Sequence, residues 1–234
     1  MLTTDLPHDQ QNADPIPWGA AALLTIDLQN DFARPDGSAF VEGTDRILPA
    51  VHNLVRRFRL SNLPVFHAIR LYFEDGSNAE LCRRQLLASG RSIVRPGSTG
   101  ADLISELWRA GSEVYSDALL AGERVAMGSS EWMFYKPRWS AFYGTRLEQW
   151  LASLGITTLV VAGCNFPNCP TATLIDATSR DLHVALASDA TSNIPDTAHN
   201  WCTGIGVAMR STGEIAAALD ALYGNPGTAG KREP

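Results

Sequence analysis

Long apolar runs and an excess of positive charge are both missing from this 234-residue chain. No apolar run approaches the roughly 18 residues that a membrane-spanning helix needs, and the N-terminus lacks the charged and apolar segments of a secretory signal. The formal net charge of −6 argues against a nucleic-acid partner or an anionic membrane surface. We therefore expect a cytoplasmic protein that binds neither nucleic acid nor membrane.

Cysteine and histidine are scarce as well, with four and five residues. No C-x-x-C spacing occurs, and no second Cys/His pair stands near Cys164 and Cys169, so the sequence predicts no metal site and no cofactor. All four cysteines are expected to be free thiols in a reducing compartment. The motifs G-x-S-x-G and H-E-x-x-H, the P-loop and a complete G-x-G-x-x-G are absent, which leaves those enzyme classes without support.

The segment 158–177, TLVVAGCNFPNCPTATLIDA, carries the strongest chemical signal. Its first part predicts a buried strand that ends at Gly163. Pro170 suits the first position of a helix, which would place Cys169 at the N-cap. A thiol there sees the positive end of the helix dipole, so we expect a lowered pKa and a reactive thiolate. The alternative is that Cys169 is a small buried apolar side chain, and this segment alone does not decide between the two.

Two charged residues stand at equivalent places in other predicted strand–helix units. Asp27 ends the apolar strand near residues 20–27, and Lys136 follows the aromatic segment 131–135. In a doubly wound parallel sheet, such positions converge at the carboxyl edge, where active sites form. A carboxylate there can take the proton of a thiol, and an ammonium group can hold the resulting charge. A Cys–His dyad stays open as an alternative, although no histidine lies in a recognisable catalytic context.

The predicted fold is α/β, a three-layer α-β-α sandwich around a Rossmann-like, mostly parallel six-stranded sheet. A single domain over residues 18–223 is expected, with a flexible arm at 1–17 and a disordered tail at 224–234. We predict a short helix at 101–110 and a connection at 117–130. The third strand is either 112–116 or 131–136.

Three sequence motifs occur in order, each at a predicted strand end. They are D-x-Q-N-D-F at 27–32, K-x-R-x-S-A-F-x-G-T at 136–145, and G-x-x-x-x-x-C followed by T-x-x-D-A at 163–177. Together they resemble the isochorismatase-like cysteine hydrolases, a family that includes nicotinamidase, N-carbamoylsarcosine amidohydrolase, biuret hydrolase and isochorismatase. The resemblance covers roughly residues 20–215.

The resemblance implies a catalytic triad of Cys169, Asp27 and Lys136 and a thioester intermediate. It also implies an oxyanion hole from the backbone N–H groups of Asn165 and Cys169, and a cis peptide bond between Cys164 and Asn165. Nicotinamidases of this family carry an Asp-x-His…His metal site after the second strand. No histidine occurs here between Arg70 and His183, so we expect no zinc.

Five residues are candidates for contact with substrate. Arg70 ends the second predicted strand close to Asp27, and the others are aromatic residues around the expected pocket. The five are Phe32, Arg70, Tyr72, Trp139 and Phe166. The segment 71–100 is expected to form the wall or lid of this pocket, whereas His67, inside a strand, is expected to be a buried core residue.

The predicted function is hydrolysis of a C–N bond in a small amide, imide or ureido compound. Two alternatives are kept: a vinyl-ether hydrolase of the isochorismate type, and a catalytically idle binding protein on the same fold. The expected assembly is a homo-oligomer, either a dimer or a tetramer.

Overall fold

The computed structural model describes residues 16–109 and 116–224. The predicted arm and tail lie almost wholly outside the described residues. Seven strands form one sheet: β1 (Ala21–Ile26), β2 (Val65–Ile69), β3 (Arg124–Gly128), β4 (Glu131–Tyr135), β5 (Thr158–Gly163), β6 (His183–Thr191) and β7 (Val207–Arg210). Their order is β3-β4-β2-β1-β5-β6-β7. All neighbouring strands are parallel except β3 and β4.

Within the described ranges, eight α-helices connect or flank the strands. They are α1 (Asn30–Ala33), α2 (Thr44–Leu60), α3 (Leu81–Ala88), α4 (Ser116–Leu120), α5 (Leu147–Ser153), α6 (Cys169–Thr178), α7 (Ala198–Gly204) and α8 (Thr212–Tyr223). No helix in the described ranges is long and apolar enough to cross a membrane.

The alternation of side chains along β1 produces the two apolar layers. Leu24 and Ile26 face a core that includes residues of α5, α6 and α7, whereas Leu23 faces a core built with α2 and α8. Because successive side chains of a strand point to opposite faces, a strand buried on both sides needs helices on both. The predicted three-layer α/β class is confirmed.

The sheet has seven strands where six were predicted, because residues 124–128 pair antiparallel with β4. This edge strand is only partly buried along its length, so it lacks the apolar run that identified the central strands. The third parallel strand is β4, which begins at Glu131. The other candidate, 112–116, lies outside the described residues except for Ser116, which begins α4.

The predicted helix at 101–110 is wrong in its described part. Residues Thr99–Ala101 form one 3-10 turn, and the chain then continues without a regular helix to 109. The Gln29 side chain donates to the carbonyl of Ala101 at 2.7 Å, and Leu103 forms a β-bridge with Gln29. These contacts with the loop after β1 occupy backbone groups that a helix would need.

A buried carboxylate anchors the sheet at the start of β4. Glu131 accepts hydrogen bonds from Arg59 at 2.5 and 2.8 Å and from Arg109 at 2.9 Å. Its other neighbour is His67, whose ring lies 2.9 Å from Glu131 and 2.7 Å from the Thr25 hydroxyl. His67 is therefore a buried, hydrogen-bonded core residue, as the sequence predicts.

Glu131→Gln should destabilise the fold without touching the carboxyl edge of the sheet. Although burial opposes it, hydrogen bonds from His67 and Arg59 hold the pKa of Glu131 well below its usual value. The wild-type protein should therefore exceed the variant in free energy of unfolding by the full amount above about pH 4.5. This difference should decrease as the pH falls through the folded-state pKa of Glu131. We expect a loss of about 2–3 kcal/mol at pH 7 in denaturant unfolding.

The matched control for this prediction is Glu148→Gln. Glu148 pairs with Arg180 at 3.0 Å on an exposed surface, where an ion pair contributes about 0–1 kcal/mol. Equal losses for the two variants would mean that the buried network does not stabilise the sheet.

Candidate active site

Three chemically active side chains meet at the carboxyl edge of the sheet. Asp27 follows β1, Lys136 follows β4, and Cys169 begins α6 beyond β5. Asp27 Oδ2 lies 2.9 Å from Lys136 Nζ, and the Lys136 side chain is fully buried. Asp27 and Cys169 both line one pocket at this edge. The predicted convergence of strand ends therefore occurs in the structure.

The Asp27 carboxylate has one oxygen paired and one free. Oδ2 meets Lys136, whereas the buried Oδ1 has no hydrogen-bond partner among the described residues. Asp27 also has a positive φ of 54°, and its N–H donates to the Ala68 carbonyl at 2.9 Å. A buried carboxylate oxygen without a donor is placed to accept a proton from the pocket.

Cys169 is the first residue of α6 and Asn168 is the N-cap, one position away from the prediction. The expected lowering of its pKa is wrong. Burial, followed by the negative charge of Asp27, raises the pKa of the Cys169 thiol to about 11, and the charges of Lys136 and Arg70 only partly oppose this. The resting thiol is therefore neutral at pH 7, and attack requires its proton to move to a base.

The turn between β5 and α6 brings backbone N–H groups to the thiol. The Cys164–Asn165 peptide bond is cis. Gly163 has a φ of 124°, and a side chain there would collide with the Ile26 carbonyl. In the described part of the chain, the N–H groups of Asn165 and Cys169 donate no hydrogen bond to the backbone. Both donors are free for a ligand oxygen.

Hydrogen bonds from the first motif hold the loop after β1 against the end of β2 and against Val94. Gln29 donates to the Arg70 carbonyl and accepts from the Arg70 N–H, both at 2.7 Å. Asp31 accepts from the N–H of Val94 at 2.6 Å and of Ser38 at 3.2 Å. The polar residues that follow Asp27 therefore hold the pocket wall in place.

The second and third motifs are joined through Thr173. Its hydroxyl accepts from the Ala141 N–H at 3.0 Å and donates to the Cys169 carbonyl at 2.7 Å. This link fixes the loop after Lys136 against the first turn of α6. The second and third motifs, which are separated along the chain, therefore lie side by side in the structure.

A pocket with an empty volume of about 570 Å³ opens beside Asp27 and Cys169. Four of the five predicted substrate contacts line it: Phe32, Arg70, Tyr72 and Trp139. Phe166 does not line it. Its ring is buried and meets Trp201 edge-on, with centroids 5.8 Å apart, because the helix α7 side of the core offers an aromatic partner.

Arg70 is buried and occupied by protein groups. Its guanidinium pairs with Glu80, and the Tyr72 hydroxyl donates to the same carboxylate at 3.1 Å. Burial raises the pKa of Tyr72, so its hydroxyl stays protonated and can donate. This cluster forms part of the pocket wall, and its charge is balanced by Glu80.

Sequence reasoning missed the pocket residues contributed by α3 and its neighbours. They are Ala39, Val41, Arg83, Leu86, Leu87 and Ile93, together with Cys164 of the turn between β5 and α6. A helix near 79–88 is recognisable from the sequence, but the face that it turns to the pocket is set by the long connection around it. The sequence signal that could have identified this face is the i, i+3, i+4 spacing of Arg83, Leu86 and Leu87.

Metal ions are held by clusters of His, Cys, Asp or Glu side chains, and the structure describes residues 16–109 and 116–224. No three His, Cys, Asp or Glu side chains in these ranges are grouped so that they could hold a metal ion. All four cysteines are free.

Comparison with known proteins gives a consistent result. Residues 21–117 and 119–208 match the family model described as Isochorismatase domain. An Arabidopsis thaliana protein described as a probable inactive nicotinamidase is 33% identical over 177 residues, covering 75% of this chain and 82% of that protein. The ureidoacrylate amidohydrolase of Methylobacterium radiotolerans is 28% identical over 201 residues, covering 76% and 69%. A solved isochorismatase family protein from Desulfovibrio vulgaris matches with a TM-score of 0.71 and 30% identity, covering 88% of this chain and 99% of that one.

Proposed function

Because this chain belongs to the isochorismatase-like hydrolase family, whose members include cysteine-type amidohydrolases, we propose that it hydrolyses a C–N bond in a small amide, imide or ureido compound. The observation that carries the proposal is the buried Lys136–Asp27 pair, which leaves one Asp27 oxygen unpartnered in a pocket shared with Cys169. Thiol, base and cation would act as one triad.

In the first half-reaction, Asp27 takes the Cys169 proton while Sγ attacks the substrate carbonyl carbon. Since the resting thiol is neutral, the proton moves as the new C–S bond forms. The N–H groups of Asn165 and Cys169 donate to the oxyanion of the tetrahedral intermediate. The C–N bond then breaks, the nitrogen leaves with the proton held by Asp27, and a thioester remains.

In the second half-reaction, water attacks the thioester and Asp27 takes its proton. The C–S bond breaks, the thiolate regains a proton, and a carboxylic or carbamic acid leaves. Lys136 Nζ lies 2.9 Å from Asp27 Oδ2 and would hold the carboxylate in position as its buried counter-charge through both half-reactions.

A vinyl-ether hydrolase is the second candidate. That chemistry uses the carboxylate as an acid and does not need a thiolate, so the neutral resting state of Cys169 is compatible with it. A catalytically idle binding protein is the third, since one similar protein is described as probably inactive.

We further propose that residues 18–223 act as one domain in the cytoplasm. A homo-oligomer, dimer or tetramer, stays a prediction.

An ammonia-release assay should separate the three functions. The purified, chelator-treated protein is incubated with primary amides and N-carbamoyl compounds, for which released ammonia is measured, and with isochorismate as the control. Cyclic imides are followed by the appearance of the ring-opened half-amide, because their hydrolysis leaves the nitrogen bound to the product. We expect ammonia or a half-amide from at least one C–N compound and no consumption of isochorismate. Isochorismate consumption without ammonia would favour the vinyl-ether reaction, and no turnover of any compound would favour the binding protein.

A further inference from the structure

The charges around the pocket do not cancel, and one arginine remains without a partner. Asp27, Arg70 and Arg83 are the charged residues that line the pocket. Asp27 is neutralised by Lys136 and Arg70 by Glu80. Arg83 forms no ion pair with any other described residue. The pocket therefore carries an excess of one positive charge in a protein whose net charge is −6.

The position of Arg83 places this charge beside apolar side chains of the same helix face. Arg83 lies on α3, and its neighbours on the same helix face, Leu86 and Leu87, also line the pocket. Glu80, three residues earlier, is the nearest acidic residue along the helix, but its two oxygens are taken by Arg70 and Tyr72. Nothing on α3 competes for the Arg83 guanidinium.

We propose that Arg83 binds a carboxylate of the substrate, so that the preferred substrates are acids that carry an amide or ureido group at the other end of a short chain. This inference rests on the proposed function, and it specifies the substrate class of the same site. The scissile carbonyl would lie at Cys169 and the apolar chain against Leu86 and Leu87. The reaction is R–CO–NH₂ + H₂O → R–COO⁻ + NH₄⁺, with the distant carboxylate unchanged.

Electrostatics favours a carboxylate over a neutral end group at this place. A hydrogen bond to a charged partner in a partly desolvated pocket is stronger than one between neutral groups, and guanidinium matches a carboxylate with two donors. A positive pocket within a negatively charged protein also attracts small anions locally, which raises the encounter rate. The effect should fall as salt is added.

The test compares monoamides of dicarboxylic acids with the corresponding neutral diamides: succinamate, glutaramate and adipamate against succinamide, glutaramide and adipamide. We expect the wild-type protein to prefer one monoamide over its diamide by about 10- to 100-fold in kcat/KM, mainly through KM. Arg83→Gln should lose this preference, so that the ratio of kcat/KM between the monoamide and its diamide falls to about one. The three monoamides differ in length, so the best substrate among them indicates the distance between the Cys169 thiol and the Arg83 guanidinium.

Arg84→Gln is the matched control, because Arg84 lies beside Arg83 on α3 but turns its Nε to the Ala79 carbonyl at 3.3 Å and does not line the pocket. It should behave as wild type. Equal rates on monoamides and diamides, or equal losses in Arg83→Gln and Arg84→Gln, would overturn the inference.

A binding measurement keeps this test separate from the proposed function. Calorimetric titration of Cys169→Ala protein with the same compounds needs no turnover. We expect the monoamide to bind and Arg83→Gln to weaken that binding about 10- to 100-fold. If no amide is hydrolysed but this pattern holds, the proposed function fails and the carboxylate site stands. If the monoamides and diamides bind equally, or none binds, the carboxylate site is wrong.

Discussion

Replacing Cys169 with alanine should abolish hydrolysis, with a loss of kcat of about 10⁶-fold, as is typical when a nucleophile is removed from a coupled catalytic unit. The physical reason is that no other group on this side of the pocket can form the covalent intermediate. Cys164, which also lines the pocket, belongs to the apolar core on the α2 side of the sheet, whereas Cys169 begins α6. Steady-state rates on the best compound of the ammonia panel provide the measurement.

Cys202→Ala is the matched control for Cys169→Ala. Cys202 is a buried thiol in α7, away from the pocket lining, so the same substitution should alter stability slightly and leave kcat near wild type. Thermal unfolding should show that both variants are folded. A folded Cys169→Ala protein with more than a tenth of the wild-type rate would remove the thiol from the reaction and leave the carboxylate chemistry of the vinyl-ether alternative.

The place of Cys169 was predictable from the sequence, but its ionisation state was not. An apolar strand, a turn with Gly163 and a proline at the helix start are local signals, and they place the thiol at the carboxyl edge with an error of one residue. The pKa depends on burial and on the Asp27 carboxylate, which arrives from a strand far away in the chain. Tertiary burial outweighs the local helix dipole here.

The same contrast, between local signals in the sequence and contacts with residues distant in the chain, explains the errors in the predicted fold. The central strands have continuous apolar runs because both faces are covered, so β1, β2 and β5 are recognisable. The edge strand β3 is stabilised by its antiparallel partner, and the helix expected at 101–110 is replaced by contacts with Gln29. Phe166 was predicted to contact substrate because it lies in the turn between β5 and α6, yet the orientation of its ring is set by contact with Trp201. Each of these depends on a partner distant in sequence.

The Asp27–Lys136 pair should behave as one unit in both catalysis and stability. Asp27→Asn removes the proposed base, and Lys136→Met removes its buried counter-charge without changing the volume greatly. Each single variant should lose about 10²- to 10⁴-fold in turnover, the usual worth of positioned proton transfer. Each should also lose about 3–5 kcal/mol of stability, because one charge is left buried and unpaired.

The double variant Asp27→Asn/Lys136→Met gives the decisive comparison. It contains no buried charge at this site, so it should be more stable than either single variant in denaturant unfolding, and its loss of turnover should be far smaller than the product of the two single losses.

A double-mutant cycle on a surface ion pair serves as the control. Glu148→Gln and Arg180→Gln break a pair at 3.0 Å whose members are both partly exposed, and their effects should be small and close to additive. If the Asp27 and Lys136 variants were equally additive, the buried pair would not be coupled. Lys136 would then contribute to packing at the end of β4, and Asp27 would have to act with a different partner, for which Arg70 is the remaining buried cation of the pocket.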